Sequence, residues 1–417
     1  MRDRKQNSYD DWPPSSGDGN NSLGETGGNA SAFTFLCVTV ILTALGLIML
    51  YSASYHEALS HNLPHYYFFQ RQMMFVLFAL LCSVVIRYMP LSWFRYLAIP
   101  IVLACLALMA MTLFTSFGQE RLGSRRWLQI GVFPSLQPSE LVKVGTILLF
   151  ALCFNKEVGE LSFLKRFGLP IIVALVFSAM ILLQKDYSTT MLYLGLCVAL
   201  LLVGGMKIAS LLVGFAFLFV PAVTLMLSQS YRVKRIFSFL FSSIDQGGIN
   251  YQVTNSLKAI GTGGLFGVGL GNGTYKLGLI PEVQSDFIFA SICEEVGLVG
   301  AALILALFAM FAILGYNAYI RMLGRDRFLS ITAFGITTMI LLQAIINIAV
   351  VTGLLPPTGI PLPFFSQGGT NLFVVICLSA LLYRILLISS GRIPLQRSGL
   401  SPQRRQEFLF DMGEDES

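Results

Sequence analysis

Long apolar runs constrain the fold of this chain more than any other feature. About ten of them recur, and each is long enough to cross a bilayer as a helix, which takes about 20 residues. They lie at 32–54, 72–89, 95–117, 137–154, 167–184, 187–205, 208–228, 286–319, 328–351 and 368–389. Only 12% of the residues are charged, whereas a soluble domain has roughly 25%. The sequence therefore predicts an all-α polytopic membrane protein with about ten transmembrane helices.

The distribution of basic residues predicts the orientation. An even number of spans places both termini on one side of the membrane. Short basic loops at 156–166 and 321–327 favour the cytoplasm for that side, because Lys and Arg are enriched in cytoplasmic loops. The predicted organisation is a disordered cytoplasmic tail at 1–30, a transmembrane domain at 31–390 with one long extracytoplasmic loop at 229–285, and a cytoplasmic tail at 391–417.

The long loop leads to Asp286, the strongest candidate for chemistry. A carboxylate at the mouth of a span is costly unless it is functional or paired. The alternative is a helix-terminal acid that interacts with the helix dipole, with Ser285 as the cap. Upstream, Val253, Leu257 and Ile260 have helical spacing and predict an amphipathic interfacial helix. The glycine-rich segment that follows, at 261–273, has no preceding strand, so a flexible cover is expected there rather than a dinucleotide-binding loop.

Two more acids follow in the next apolar run, which is longer than one bilayer crossing and so predicts a tilted or projecting helix. Glu295 would point away from Asp286 on a continuous helix, which favours a structural role. The role of Glu294 stays open.

Basic and amide side chains on the predicted outer side are candidate substrate ligands. Arg125 and Arg126 share one loop and could hold a diphosphate through paired hydrogen bonds. Gln252 and Lys276 belong to the long loop and complete this group.

Two further elements leave their alternatives open. Glu140 and Lys143 lie one helical turn apart, so they form either a mutual ion pair or a polar pair that lines a cavity. The uncharged, proline- and glycine-rich segment at 352–370 is either a rigid wall against an apolar substrate or a packed plug.

Several of these motifs together resemble the SEDS family of shape, elongation, division and sporulation proteins. The matching segments are YSAS at 51–54, SRRWL at 124–128, QPSEL at 137–141, AIGTGGLFGVGLG at 259–271, PEVQSDFIFA at 281–290, EEVG at 294–297 and the region 347–370. The resemblance implies a peptidoglycan glycosyltransferase that polymerises lipid II on the outer face of the bacterial cytoplasmic membrane. The charged N-terminal and basic C-terminal tails favour the division branch of the family over the elongation branch.

The resemblance also implies site residues and partners. The essential acid of the family falls on Asp286, and its acid–base pair falls on Glu140 and Lys143. The implied partners are lipid II, polyprenyl-diphosphate-linked glycan, a class B penicillin-binding protein transpeptidase and other division proteins at the septum. Nucleic acid is not expected.

The expected mechanism is an inverting transfer with Asp286 as the general base. No protein metal site is predicted, although a divalent cation, Mg²⁺ or Mn²⁺, is a candidate stabiliser of the leaving diphosphate. A lipid II flippase or transporter, a scaffold without activity and an elongation polymerase are the alternative functions.

Overall fold

The computed structural model describes residues 21–121, 123–129, 131, 134–156, 162–211, 249–391 and 393. Its main elements are α1 (Asn21–Ser60), α2 (Tyr67–Tyr88), α3 (Leu91–Phe114), β1 (Gly118–Arg121), β2 (Ser124–Leu128), α4 (Pro138–Cys153), α5 (Phe163–Leu183), α6 (Tyr187–Val203), α7 (Ile249–Gly263), α8 (Ile288–Leu323), α9 (Arg327–Val351) and α10 (Gly369–Ser389).

The predicted fold class is confirmed. Seven of the described helices are long and apolar enough to cross a membrane. These are α1, α2, α3, α5, α8, α9 and α10, while α6 is apolar but shorter. Helix α4 begins at Pro138, as the sequence indicated, because proline is well suited to the first turn of a helix. The predicted span at 208–228 lies outside the described residues beyond position 211.

The structure departs from the sequence predictions at two places in the N-terminal half of the chain. Helix α1 begins at Asn21, where a disordered tail through residue 30 was predicted. Extension of an established helix costs little per residue, so an apolar span can carry polar turns before it. Strands β1 and β2 form an antiparallel hairpin that the apolar periodicity did not reveal.

The long apolar run after Asp286 is broken rather than simply tilted. Helix α8 contains Gly297 with φ 66° and ψ −168°, which interrupts the helical backbone. Residues 288–295 form a short buried segment before the break, and the apolar span follows it. A left-handed φ is readily adopted only by glycine, so the glycine at position 297 is what permits the break there.

The centre of the helix bundle can be located from burial. In α10, 78% of the apolar stretch is buried, compared with 17% in α2. The exposed side chains of α2 include Leu77, Phe78 and Leu81, as expected of a helix that faces lipid. Helices α4, α9 and α10 therefore surround the interior, and α2 and α3 lie towards the lipid.

Candidate active site

A narrow cleft lies among α4, α6, α9, the start of α10 and the irregular segment between α9 and α10. It brings polar side chains into the interior of a predominantly apolar bundle. Its lining consists of Arg126, Trp127, Gln137, Glu140, Lys143, Thr189, Leu192, Ser285, Gln343, Gly359, Ile360, Pro361, Gln367, Gly368 and Asn371. Three of the residues predicted to act on substrate, namely Arg126, Glu140 and Lys143, are among them.

Glu140 and Lys143 form a buried ion pair in this cleft. Lys143 Nζ lies 2.8 Å from the Glu140 carboxylate, and the side chains are 1% and 3% exposed. Asn371 Nδ2 donates a second hydrogen bond to Glu140 Oε2 at 2.8 Å. Both alternatives for this pair thus hold at once, since the residues pair with each other and also line the cavity. The ion pair and the second hydrogen bond offset part of the cost of removing these charges from water.

Asp286 adjoins the cleft. Its neighbour Ser285 lines the cavity, and a Cβ placed on the lining residue Gly359 would lie 3.7 Å from Asp286 Oδ2. Asp286 precedes the first helical residue of α8, Ile288, by two positions, while Phe287 serves as the N-cap without a side-chain hydrogen bond. The carboxylate is therefore positioned beside a cavity as well as near a helix terminus.

Asn347 fixes the backbone around Asp286. Its Nδ2 donates to the carbonyl of Asp286 at 2.7 Å and to the carbonyl of Ile360 at 2.8 Å. Ile360 belongs to the proline- and glycine-rich segment, which forms one wall of the cleft. One buried amide on α9 thereby ties the candidate base to this wall. The segment shows features of both predicted alternatives, since Ile360 lines the cleft while Leu362 and Phe365 are packed in the core.

The two arginines of the hairpin have different surroundings. The Arg125 guanidinium donates to the carbonyls of Gly118 and Leu113, both at 3.2 Å, and to that of Thr115. These bonds fasten the hairpin to the end of α3, which is a structural use of the side chain. Its role as a substrate ligand stays a prediction, and the cleft geometry favours Arg126 for it.

Arg126 faces the cleft and is partly engaged. Its Nη1 lies 3.4 Å from Asp186 Oδ2, while its Nε is buried without a partner among the described residues. Asp186 also caps α6 by accepting from the backbone N–H of Thr189 at 3.2 Å. The guanidinium therefore keeps donor capacity towards the cavity, which suits an anionic ligand.

Lys276 and Gln252 are not brought to this cleft. Lys276 Nζ lies 2.6 Å from Glu295 Oε1 and donates to Ser52 Oγ at 2.8 Å. Gln252 Nε2 reaches the carbonyl of Pro281 at 3.5 Å. Their assignment as substrate ligands stays a prediction, and the contacts of Lys276 indicate a structural role that the sequence separation concealed.

Glu294 and Glu295 organise the glycine-rich loop. Glu294 accepts from the N–H of Thr274 at 2.6 Å and from its hydroxyl at 3.0 Å. Glu295 accepts from the N–H of Gly271 at 2.9 Å in addition to its pairing with Lys276. Both carboxylates are buried. The predicted structural role of Glu295 agrees with this geometry, and Glu294 has a similar one.

The glycine-rich segment packs closely against the break in α8, which corrects the expectation of a flexible cover. A Cβ placed at Gly267 would lie 2.2 Å from the carbonyl oxygen of Glu295, and one at Gly263 would lie 2.0 Å from that of Cys293. Glycine is required here because backbone meets backbone. The predicted amphipathic helix is present as α7, although Val253 and Ala259 are buried and Leu257 is exposed.

Among the described residues, no group of three or more His, Cys, Asp or Glu side chains could hold a metal ion. Both oxygens of Glu140 already accept hydrogen bonds. A divalent cation therefore stays a prediction, and it would need substrate phosphates to complete its coordination.

Fold and cleft together define a class: a polytopic membrane protein with a polar site enclosed by its helices. A family model described as "Cell cycle protein" (FtsW, RodA and SpoVE) matches residues 32–390. The chain belongs to this family, as the resemblance of its motifs predicted.

Curated relatives and solved structures support this assignment. Stage V sporulation protein E of Bacillus subtilis is 36% identical over 345 residues, which cover 81% of this chain and 92% of the relative. A protein named probable peptidoglycan glycosyltransferase FtsW from Borreliella burgdorferi is 35% identical, with 86% and 97% covered.

Two solved structures share the fold at 24% identity. A chain from a structure described as a peptidoglycan synthase complex, coordinating polymerization and crosslinking, has a TM-score of 0.71 and covers 87% of this chain and 98% of its own. Rod shape determining protein RodA of Thermus thermophilus has a TM-score of 0.62, with 86% and 97% covered.

Proposed function

We propose that the chain is a peptidoglycan glycosyltransferase that polymerises lipid II into glycan strands. The observation that carries the proposal is the cleft, which is lined by Arg126 and the buried Glu140–Lys143 pair and adjoins Asp286 through Ser285 and Gly359. A glycosyl transfer from a lipid diphosphate needs a base for the acceptor hydroxyl and cations for the leaving group. The relatives named as glycosyltransferases support the same chemistry.

In this proposal Asp286 is the general base. It takes the proton of the acceptor hydroxyl as the hydroxyl oxygen attacks the anomeric carbon of the donor sugar. A new glycosidic C–O bond forms, and the C–O bond to the diphosphate breaks with inversion at the anomeric carbon. The diphosphate departs with the bonding electron pair.

Arg126 stabilises the charge that develops on the diphosphate, since its guanidinium retains an unpaired donor in the cleft. Lys143 also lines the cleft, where Glu140 holds its ammonium group in place. A divalent cation bound to the diphosphate would supply further charge, and chelation tests this directly.

The proposed setting is the bacterial cytoplasmic membrane at the division septum, with the cleft facing the extracytoplasmic side. A class B penicillin-binding protein transpeptidase is the proposed partner, together with other division proteins. The solved peptidoglycan synthase complex, whose chain shares this fold, supports the pairing of polymerisation with crosslinking.

The test is polymerisation of lipid II by purified protein in detergent, with and without the transpeptidase and with EDTA, Mg²⁺ or Mn²⁺. Asp286→Asn should reduce glycan product about 100-fold or more, because it removes the base while keeping a similar shape. Glu282→Gln is the matched control: it neutralises a carboxyl in the same loop that does not line the cleft, and it should stay active. Wild-type activity in Asp286→Asn would refute the assignment.

A lipid II flippase is the alternative that basic outer loops and intramembrane carboxylates at Glu294 and Glu295 would suit. Both carboxylates are now engaged by the glycine-rich loop. Glycan formation in detergent, where no bilayer separates two compartments, distinguishes a polymerase from a transporter and from a scaffold without activity.

A further inference from the structure

Gln343 lines the cleft and has a buried amide oxygen without a partner among the described residues. It lies on α9, lines the cavity and is 1% exposed. Its Oε1 accepts no hydrogen bond from the described residues. A buried polar atom without a partner destabilises the fold. Because this oxygen belongs to a residue of the cavity wall, we expect its partner to arrive with a ligand.

A second amide faces the same cavity from a different element. Gln367 belongs to the segment that precedes α10, and its Oε1 is also buried without a partner. Its backbone is held in place, since its N–H donates to the carbonyl of Gln284 at 2.8 Å. Two elements therefore each contribute to one cleft a glutamine whose amide oxygen is unpaired.

The charged groups of the cleft are paired to a greater extent than these amides. Glu140 is satisfied by Lys143 and Asn371. Arg126 is partly paired with Asp186, and its free Nε is a cationic donor. The lining thus divides into a cationic part suited to an anion and a neutral amide part suited to uncharged hydrogen-bonding groups.

We infer that Gln343 and Gln367 form a recognition subsite for the uncharged sugar of the lipid-linked substrate, pairing with its acetamido and hydroxyl groups. A side-chain amide carries one acceptor oxygen and two N–H donors. It therefore complements an acetamido group, which offers one N–H and one C=O, in either orientation of the amide. The subsite rests on the proposed function and adds a direction to it: the diphosphate lies towards Arg126 and the sugar towards the two glutamines.

The experiment pairs a protein substitution with a substrate change. Polymerisation is measured with lipid II and with analogues in which one acetamido group at a time is replaced by a hydroxyl. Wild-type protein should use one analogue about tenfold less efficiently in kcat/KM, as expected for the loss of one or two buried hydrogen bonds. Gln343→Met, similar in shape but unable to make these bonds, should lower kcat/KM for lipid II by a comparable factor. In this variant the ratio of kcat/KM for lipid II to kcat/KM for that analogue should also fall towards one.

The matched control is Thr337→Val on the same helix. Thr337 is buried outside the cleft lining, and its hydroxyl donates to the carbonyl of Ala333 at 2.8 Å. This variant should keep both the rate and the discrimination. If Gln343→Met does not yield folded protein, Gln343→Asn, which keeps the amide but shortens its reach, should show reduced discrimination instead.

Failure of the subsite and failure of the proposed function give different results. An active Gln343 variant that discriminates as strongly as the wild type would overturn the subsite and leave the polymerase assignment intact. Wild-type protein that forms no glycan in any condition would overturn the polymerase assignment. The subsite would then be tested by binding: lipid II should bind wild type more tightly than polyprenyl diphosphate alone, and Gln343→Met should remove that preference.

Discussion

Neutralising Glu295 should release the glycine-rich loop from the break in α8. Glu295 is 0% exposed at its side chain, and its Oε1 lies 2.6 Å from the ammonium of Lys276, which is 5% exposed. The same carboxylate accepts from Gly271 N–H, and Ser52 Oγ on α1 lies 2.7 Å from it. Glu295→Gln keeps the shape of the side chain but leaves the Lys276 charge buried without its counter-ion.

The magnitude follows from the burial. Breaking a buried ion pair by removing one partner costs about 3–5 kcal/mol. If that cost is confined to the loop, its local opening becomes more favourable by on the order of a hundredfold or more, since about 1.4 kcal/mol is a factor of ten. Lys276→Met should have an effect of similar size. The double variant should be less disturbed than the sum of the two, because it leaves neither charge unpaired.

Hydrogen exchange is the assay, because it reports opening of the loop separately from unfolding of the whole bundle. The amides of Gly271 and Thr274, which donate to Glu295 and Glu294, should exchange much faster in Glu295→Gln. Lys258→Met removes an exposed charge from α7 and should leave these amides protected. Unchanged protection in Glu295→Gln would show that the pair does not hold the loop.

Two other substitutions test the loop and its surroundings. Gly297→Ala should destabilise the protein strongly and reduce activity, because its Cβ would lie 2.3 Å from the N of Gly267 at a φ of 66°, whereas Gly324→Ala meets nothing within 4 Å and should melt close to wild type. Burial, and then the like charge of Glu57, raise the pKa of Glu282 above its ordinary 4.5. A raised pKa means that the folded protein favours the protonated carboxyl, so its stabilising contribution is present at low pH and lost as the pH rises through that raised pKa. Glu282→Gln should remove this part of the pH dependence of thermal unfolding in detergent. If the melting temperature of the variant depends on pH as that of the wild type does, Glu282 does not contribute in this way.

Apolar run length alone predicted most of the described spans to within a few residues. The prediction succeeds because a segment in a bilayer must pair its own backbone N–H and C=O groups, which it does as a helix. The local sequence therefore decides the structure. Pro138 at the first turn of α4 and the spacing of Glu140 and Lys143 were equally local, and the structure agrees with both.

Contacts between distant segments were beyond the reach of the same reasoning. Lys276 was assigned to substrate from the sign of its charge, but its partners are Glu295 and Ser52. Arg125 and Arg126 are adjacent in sequence, and only the hairpin turns one towards α3 and the other towards the cleft. The predicted orientation of Glu295 relative to Asp286 assumed one continuous helix. The helix is in fact broken, at Gly297, which lies C-terminal to both residues. Gln343 carried no signal in the sequence, since it stands alone in an apolar run.

The break in α8 explains why the loop before Asp286 has a fixed position. An interrupted helix inside an apolar bundle leaves N–H and C=O groups that must be paired elsewhere. The carbonyls of Glu294 and Glu295 accept from the N–H groups of 268 and 269, and the N–H groups of 298 and 299 donate to the carbonyls of 264 and 265. Because the loop supplies all four partners, it cannot leave without exposing the break. Asn347 fixes the backbone of Asp286 itself by donating to its carbonyl, and a fixed position suits the base proposed for the acceptor hydroxyl.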